Sequence, residues 1–138
     1  MAQLATPRFV FDEDLQGVGL LIRKARSDFG DVWVIGHPPC PIAKETDDEK
    51  WIPVVATQRA VIIRNDKDLL NPETESYRAW RATGARGFHL SIAQSKSSLW
   101  DQTKALIRQW DRIEKHAADH ETDKWWIGKI TAGSVGPA

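Results

Sequence analysis

Residues 60–68 read AVIIRNDKD, four apolar residues and an arginine followed within four residues by two aspartates, Asp66 and Asp68. A strand with one face in water alternates apolar and polar side chains, so the unbroken AVII predicts a strand covered on both faces, as in a parallel sheet. DVWVIG (31–36) has the same β-branched and aromatic character and ends on glycine, and RFVF (8–11) is a shorter strand of the same kind.

Helical patterns separate these runs. In LQGVGLLIRKARSDFG, Leu15, Val18, Leu21, Ile22 and Ala25 recur at helical spacing until Gly30. HPPCPIAKET is a loop by its prolines. Thr46 and Asp47 or Asp48 suit a helix N-cap, with Trp51, Ile52, Val55 and Ala56 as the apolar stripe to about Arg59, and Pro53 predicts a late start or a kink. Downstream, ETESYRAWRATG is helical up to Gly84, and GFHLSIA (87–93) is a fourth strand. The longest helix spans 97–121, capped by Ser97 or Ser98, with Leu99, Leu106, Trp110, Ile113 and Ala117 in one stripe joined by Thr103 and Ile107. KWWIGKIT (124–131) reads as a last strand at a sheet edge and AGSVGPA as a frayed tail.

Strands alternating with helices define an α/β fold with a largely parallel sheet covered by helices. The 138 residues suit one domain over 1–138, with a core at about 8–131. With 41% hydrophobic and 28% charged residues, the composition is globular and excludes disordered and fibrous classes. No apolar run is long enough to cross a bilayer, and MAQLATPRF lacks a secretory signal, so a cytoplasmic protein is expected. The lone Cys40 can form no internal disulfide, in keeping with a reducing compartment. Nineteen basic residues balance nineteen acidic ones, so a nucleic-acid contact has to come from a local patch.

The acids are clustered in a way the total conceals. In an open parallel sheet, ligands bind beyond the carboxyl ends of the strands, near the point where strand order reverses. Asp12 follows RFVF, Asp66 follows AVIIRN, and Asp48 opens a helix on the same edge. Carboxylates crowded together repel unless a cation neutralises them, and a hard ion such as Mg²⁺ or Mn²⁺ takes such oxygens and keeps waters for chemistry. Phosphodiester hydrolysis is the reaction this suits. Acids that merely end strands and cap helices in solvent are the competing reading.

In their order, FDEDL (11–15), TDDEKWIP (46–53) and VIIRNDKDL (61–69) resemble the steps of PIN-like domains, and most closely the VapC-type toxin branch of that ribonuclease superfamily. SSLWDQTKALIRQWDRIE is also similar to the C-terminal helix of that branch, so the resemblance covers about residues 8–130. It implies a Rossmann-like three-layer α/β/α sandwich and a Mg²⁺- or Mn²⁺-dependent endoribonuclease, often the toxin partnered by an antitoxin and often a homodimer. By the same resemblance Asp12, Asp48 and Asp66 are the catalytic metal ligands. Asp14, Asp47, Glu49 and Asp68 are candidate helpers, Asp47 being as good an N-cap or ligand as Asp48. Two departures stand out: Asp14 replaces an asparagine, and Arg64 replaces a small hydroxyl residue, where it either contacts phosphate or blocks a ligand-orienting hydrogen bond.

Arg78, Arg81 and Arg86 form the densest basic stretch, with Arg64 near in sequence, and together they are the candidate RNA-binding residues against a solvated helix face. Trp33, Trp51, Trp100 and Trp110 are expected in the core, and packing is favoured for Trp80, Trp125 and Trp126 too, with partial exposure for base stacking or a protein interface as the alternative. His116 and His120 share a helix face without a third ligand, so a solvated helix end is expected rather than Zn²⁺; His37 and His89 receive no role. Two other functions stay open. One is a catalytically inactive PIN-like binding module. The other is a haloacid-dehalogenase-like phosphatase using Asp12 and Asp14, which lacks an evident Lys and Ser/Thr partner.

Overall fold

The computed structural model describes residues 7–26, 31–92 and 98–138. The expectations placed on Gly30, Ala93 and Ser97 lie outside the described residues. The chain runs β1 (Phe9–Phe11), α1 (Gln16–Arg26), β2 (Val32–Val34), α2 (Asp48–Thr57), β3 (Val61–Arg64), α3 (Glu75–Thr83), β4 (Arg86–Leu90), α4 (Leu99–Asp119), β5 (Trp126–Ile130) and β6 (Val135–Pro137). Short 3₁₀ turns at Glu13–Leu15 and Lys67–Leu70 follow β1 and β3.

The sheet order is β2-β1-β3-β4-β5-β6, with the first five strands parallel and β6 antiparallel to β5. Strand alternation sends Phe9, Phe11, Val61 and Ile63 into a core with Val18 and Ile22 of α1 and Leu106, Trp110 and Ile113 of α4. Val10, Trp33 and Ile62 face the other way, against Trp51 and Val55 of α2 and Trp80 of α3. Two helical layers therefore sandwich the sheet, and the burial of every residue of β1, β2 and β3 explains their lack of polar alternation. Gly87 lies where a Cβ would run into the backbone of Ile62, so β4 approaches β3 only as glycine.

Several expectations need correction. α2 begins at Asp48 and runs through Pro53 without a late start. Leu21, Leu99, Trp100 and Ile107 are exposed, Trp100 by 65%, because the apolar stripes of α1 and α4 extend beyond the surface they pack against. The packing favoured for Trp80 and Trp126 is what the structure has: Trp80 is wholly buried, its indole Nε1 donating to the Trp126 carbonyl at 2.9 Å, and Trp126 is buried too. β5 is not the edge: part of the presumed tail forms β6, pairing Val135 with Ile130. Ser98 caps α4 through a reciprocal capping box with Asp101. His116 packs against Phe88 and Trp126, and His120 pairs with Asp123 at 2.8 Å, so this face is structural.

Candidate functional site

β1 and β3 are neighbours, while β2 lies on the far side of β1, so strand order reverses between β1 and β3. A crevice at the carboxyl ends of the strands is the topological consequence. Asp12 is the residue after β1 and is tied there by its own N–H to the Ile63 carbonyl at 3.1 Å. Its Oδ1 accepts from the Glu13 N–H at 2.7 Å, which fixes the carboxylate. Asp66 caps the 3₁₀ turn after β3, its Oδ1 accepting from the Asp68 N–H at 3.0 Å. Asp48 is the first residue of α2, where a helix N-terminus favours negative charge, and its Oδ1 accepts from Trp51 Nε1 at 3.0 Å.

These three carboxylates converge on one atom. Arg64 Nη2 stands 2.8 Å from Asp48 Oδ2, 3.2 Å from Asp12 Oδ2 and 3.7 Å from Asp66 Oδ2. Arg64 closes β3 and is only 6% exposed, with its guanidinium carbon 5.8 Å from the centre of the Trp51 ring. Burial alone would draw a guanidinium towards neutrality. The hydrogen bond to Asp48 and the charges of Asp12, Asp48 and Asp66 reverse that pull and hold Arg64 charged.

One arginine does not satisfy the acids. Burial pushes the Asp12 carboxyl above its ordinary value despite the nearby Arg64. Asp14 is exposed as a residue, yet its carboxyl group is desolvated and faces the Asp12 charge, which together push it up to about 6. A cleft of about 710 Å³ opens beside the centre, lined by Glu13, Glu45, Asp47, Asp48, Glu49 and Glu75 with Arg64 as its cation. Asp47 and Glu49 therefore stand at the cleft wall while Asp48 reaches the centre, and Asp68 sits on the exposed turn beside Asp66.

The expected basic residues divide. Arg78 and Arg81 lie on the outer side of α3 beside a second cleft of about 870 Å³, where Arg81 stacks over Trp125 at 4.9 Å. Arg86 requires correction as an RNA contact. It begins β4, at the opposite end of the sheet from the acids, and is buried with its Nη1 and Nη2 donating to the carbonyls of Glu121 and Arg59 at 2.7 and 2.9 Å.

Two neighbours of the centre escaped the sequence reading. Trp51 reads as a core residue, yet its indole also orients Asp48. His89 pairs in register with Arg64 across β3 and β4, is 2% exposed, and has an Nδ1 without a partner. Burial, then the Lys129 charge, lowers its pKa, so it stands as a neutral imidazole beside the site. Only the pairing register identifies it.

In kind, the donor set suits a hard divalent cation: three carboxylates, from three segments, aimed at one point with too little positive charge. As they stand, no three or more His, Cys, Asp or Glu among the described residues form a metal-binding group, and Asp12, Asp48 and Asp66 are gathered around Arg64.

Helices on both faces of a mostly parallel sheet, with acids beside its switch point, make this a Rossmann-like α/β/α sandwich of the PIN-like class. A family model described as "PIN like domain" matches residues 7–92, which hold β1 to β4 and all of the acids above, and the chain belongs to that family. No curated protein and no solved structure matches the chain. PIN-like domains are typically nucleases, hydrolases that act on nucleic acid and usually employ divalent metals. Among the described residues no helix is long and apolar enough to cross a membrane.

Proposed function

We propose that the protein is an endoribonuclease that hydrolyses RNA phosphodiester bonds at the centre formed by Asp12, Asp48 and Asp66. The observation that carries this reading is the convergence of these carboxylates on Arg64 Nη2 at the switch point of the sheet, within the matched family region. Mg²⁺ or Mn²⁺ would be held by the same three residues, with Asp14, Asp47, Glu49 and Asp68 adding negative field around them. Such an ion, when bound, supplies an acidified water and stabilises charge on the phosphate. The protein's own part is to hold the carboxylates rigid, through Trp51 on Asp48 and backbone N–H groups on Asp12 and Asp66, and to keep His89 neutral beside them. Arg78 and Arg81, outside the acidic cleft, would contact the phosphate backbone of RNA.

By its resemblance to the VapC-type branch, the chain acts in the cytoplasm as the toxin of a toxin–antitoxin pair. The acid-lined cleft suits a basic antitoxin segment, and the exposed Leu99, Trp100 and Ile107 of α4 suit a homodimer. One domain over residues 1–138 carries all of this. Incubating single-stranded RNA with the protein and Mn²⁺ is the test: scission leaving 5′-phosphate ends, absent with chelator, is expected. The Arg64 side chain inside the acid centre favours a second reading, a binding module without catalysis, and RNA binding without scission under every metal tried would select it.

A further inference from the structure

We propose that Arg64 is the resident cation of the acid centre: its guanidinium stands where a divalent ion would bind, and an ion enters only by displacing it. This rests on the reading of Asp12, Asp48 and Asp66 as metal ligands.

The geometry differs from that of an ordinary buried ion pair. A guanidinium is a planar fork of five N–H donors, and its strong contacts to carboxylates are bidentate, one acid matched to two donors. Here the contacts to Asp12, Asp48 and Asp66 are all made by Nη2, at 3.2, 2.8 and 3.7 Å, while the buried Nε has no partner. The side chain is used as a point charge, which is how a metal ion uses a set of oxygens. Its position follows from the fold, because Arg64 is the last residue of a strand whose preceding residues are all buried, and it emerges between Asp12 and Asp66.

Charge argues the same way. One guanidinium among three carboxylates leaves excess negative charge, so the centre still attracts a cation that the occupied focus cannot admit. A small residue at position 64 would leave the oxygens and remove the competitor. Metal affinity is then set by the difference between ion and guanidinium, so it is weaker in this chain than its donors alone would give.

The test uses the whole chain and Mn²⁺ alone, without RNA. Free Mn²⁺ is followed by its electron paramagnetic resonance signal during titration of the wild type and Arg64→Ser, each first shown to be folded by circular dichroism. Arg64→Ser is expected to bind Mn²⁺ tighter by about tenfold or more, the effect of removing one like charge at contact distance. Equal affinity in the two proteins would overturn the displacement proposal and leave the metal-site reading standing. No binding by either would overturn both. Should Arg64→Ser fail to fold, the wild type decides: Mg²⁺ binding measured by calorimetry must shift the Arg64 Nε–Hε nuclear magnetic resonance signal. Binding that leaves this signal unmoved, or no binding at all, overturns the proposal.

Discussion

The two ends of the parallel sheet both gather arginines and acids, and they do so in opposite ways. At the amino ends of β1 and β2, Arg8 and Arg26 meet Asp31 and Glu114, two charges of each sign, with contacts of 2.7 to 3.9 Å and side chains 14 to 51% exposed. At the carboxyl ends, one buried arginine meets three acids and a fourth, Asp14, stands near. Each exposed pair of the first kind contributes on the order of 0.2–1 kcal/mol and fastens α1 and α4 to the strand starts. The second arrangement is dearer, because it desolvates charges that it does not fully pair. Surplus charge of one sign in a crevice is therefore what the proposed function would use, whereas the balanced network is a fastening.

Variants at the two ends sharpen this contrast, the largest effect coming first. Asp12→Ala removes one of three acids from Arg64, which keeps Asp48 and Asp66, and strips the Glu13 N–H of its acceptor, so denaturant unfolding is expected to show a loss of about 1.5–3 kcal/mol. Trp51→Phe removes the donor to Asp48 Oδ1 and leaves a small void where the buried indole was, and about 1–2 kcal/mol of stability should go with it in the same assay. Asp14→Asn works in the opposite direction. Its folded carboxyl is pushed up to about 6 from an ordinary 3.8, so its contribution to stability is full below pH 3.8 and lost as pH rises through 6. Melting temperatures measured across pH should show Asp14→Asn gaining on the wild type as pH climbs through that window, and a constant gap would remove the crowding argument. Glu114→Gln at the balanced end should cost less than about 1 kcal/mol, and added salt should shrink the difference.

Much of this was legible in the residues. VWVI and AVII announce doubly covered strands, and Asp12, Asp48 and Asp66 fall at the edge where a βαβ topology must deliver them. Arg64 was visible as a departure, but the pattern left open whether it faced phosphate or ligand, since only the register of β1 against β3 shows three oxygens around one nitrogen. Helical periodicity gives the direction of a stripe and says nothing of how far the partner surface extends. Leu99 and Trp100 therefore continue the stripe of α4 into solvent. Trp80 sits between arginines, yet packing is its favoured reading and its position on α3 does point inward. AGSVGPA has turn composition, and it forms a strand because β5 otherwise offers an unpaired edge.

The account depends on the carboxyl-end acids carrying the chemistry and the amino-end ion pairs carrying none of it. The most direct measurement compares Mn²⁺-dependent cleavage of single-stranded RNA by the wild type, Asp66→Asn and Glu114→Gln, each with an unchanged circular dichroism spectrum. Asp66→Asn should lose about 10²-fold or more in rate and Glu114→Gln should keep the wild-type rate. Cleavage that survives Asp66→Asn while falling in Glu114→Gln would contradict it.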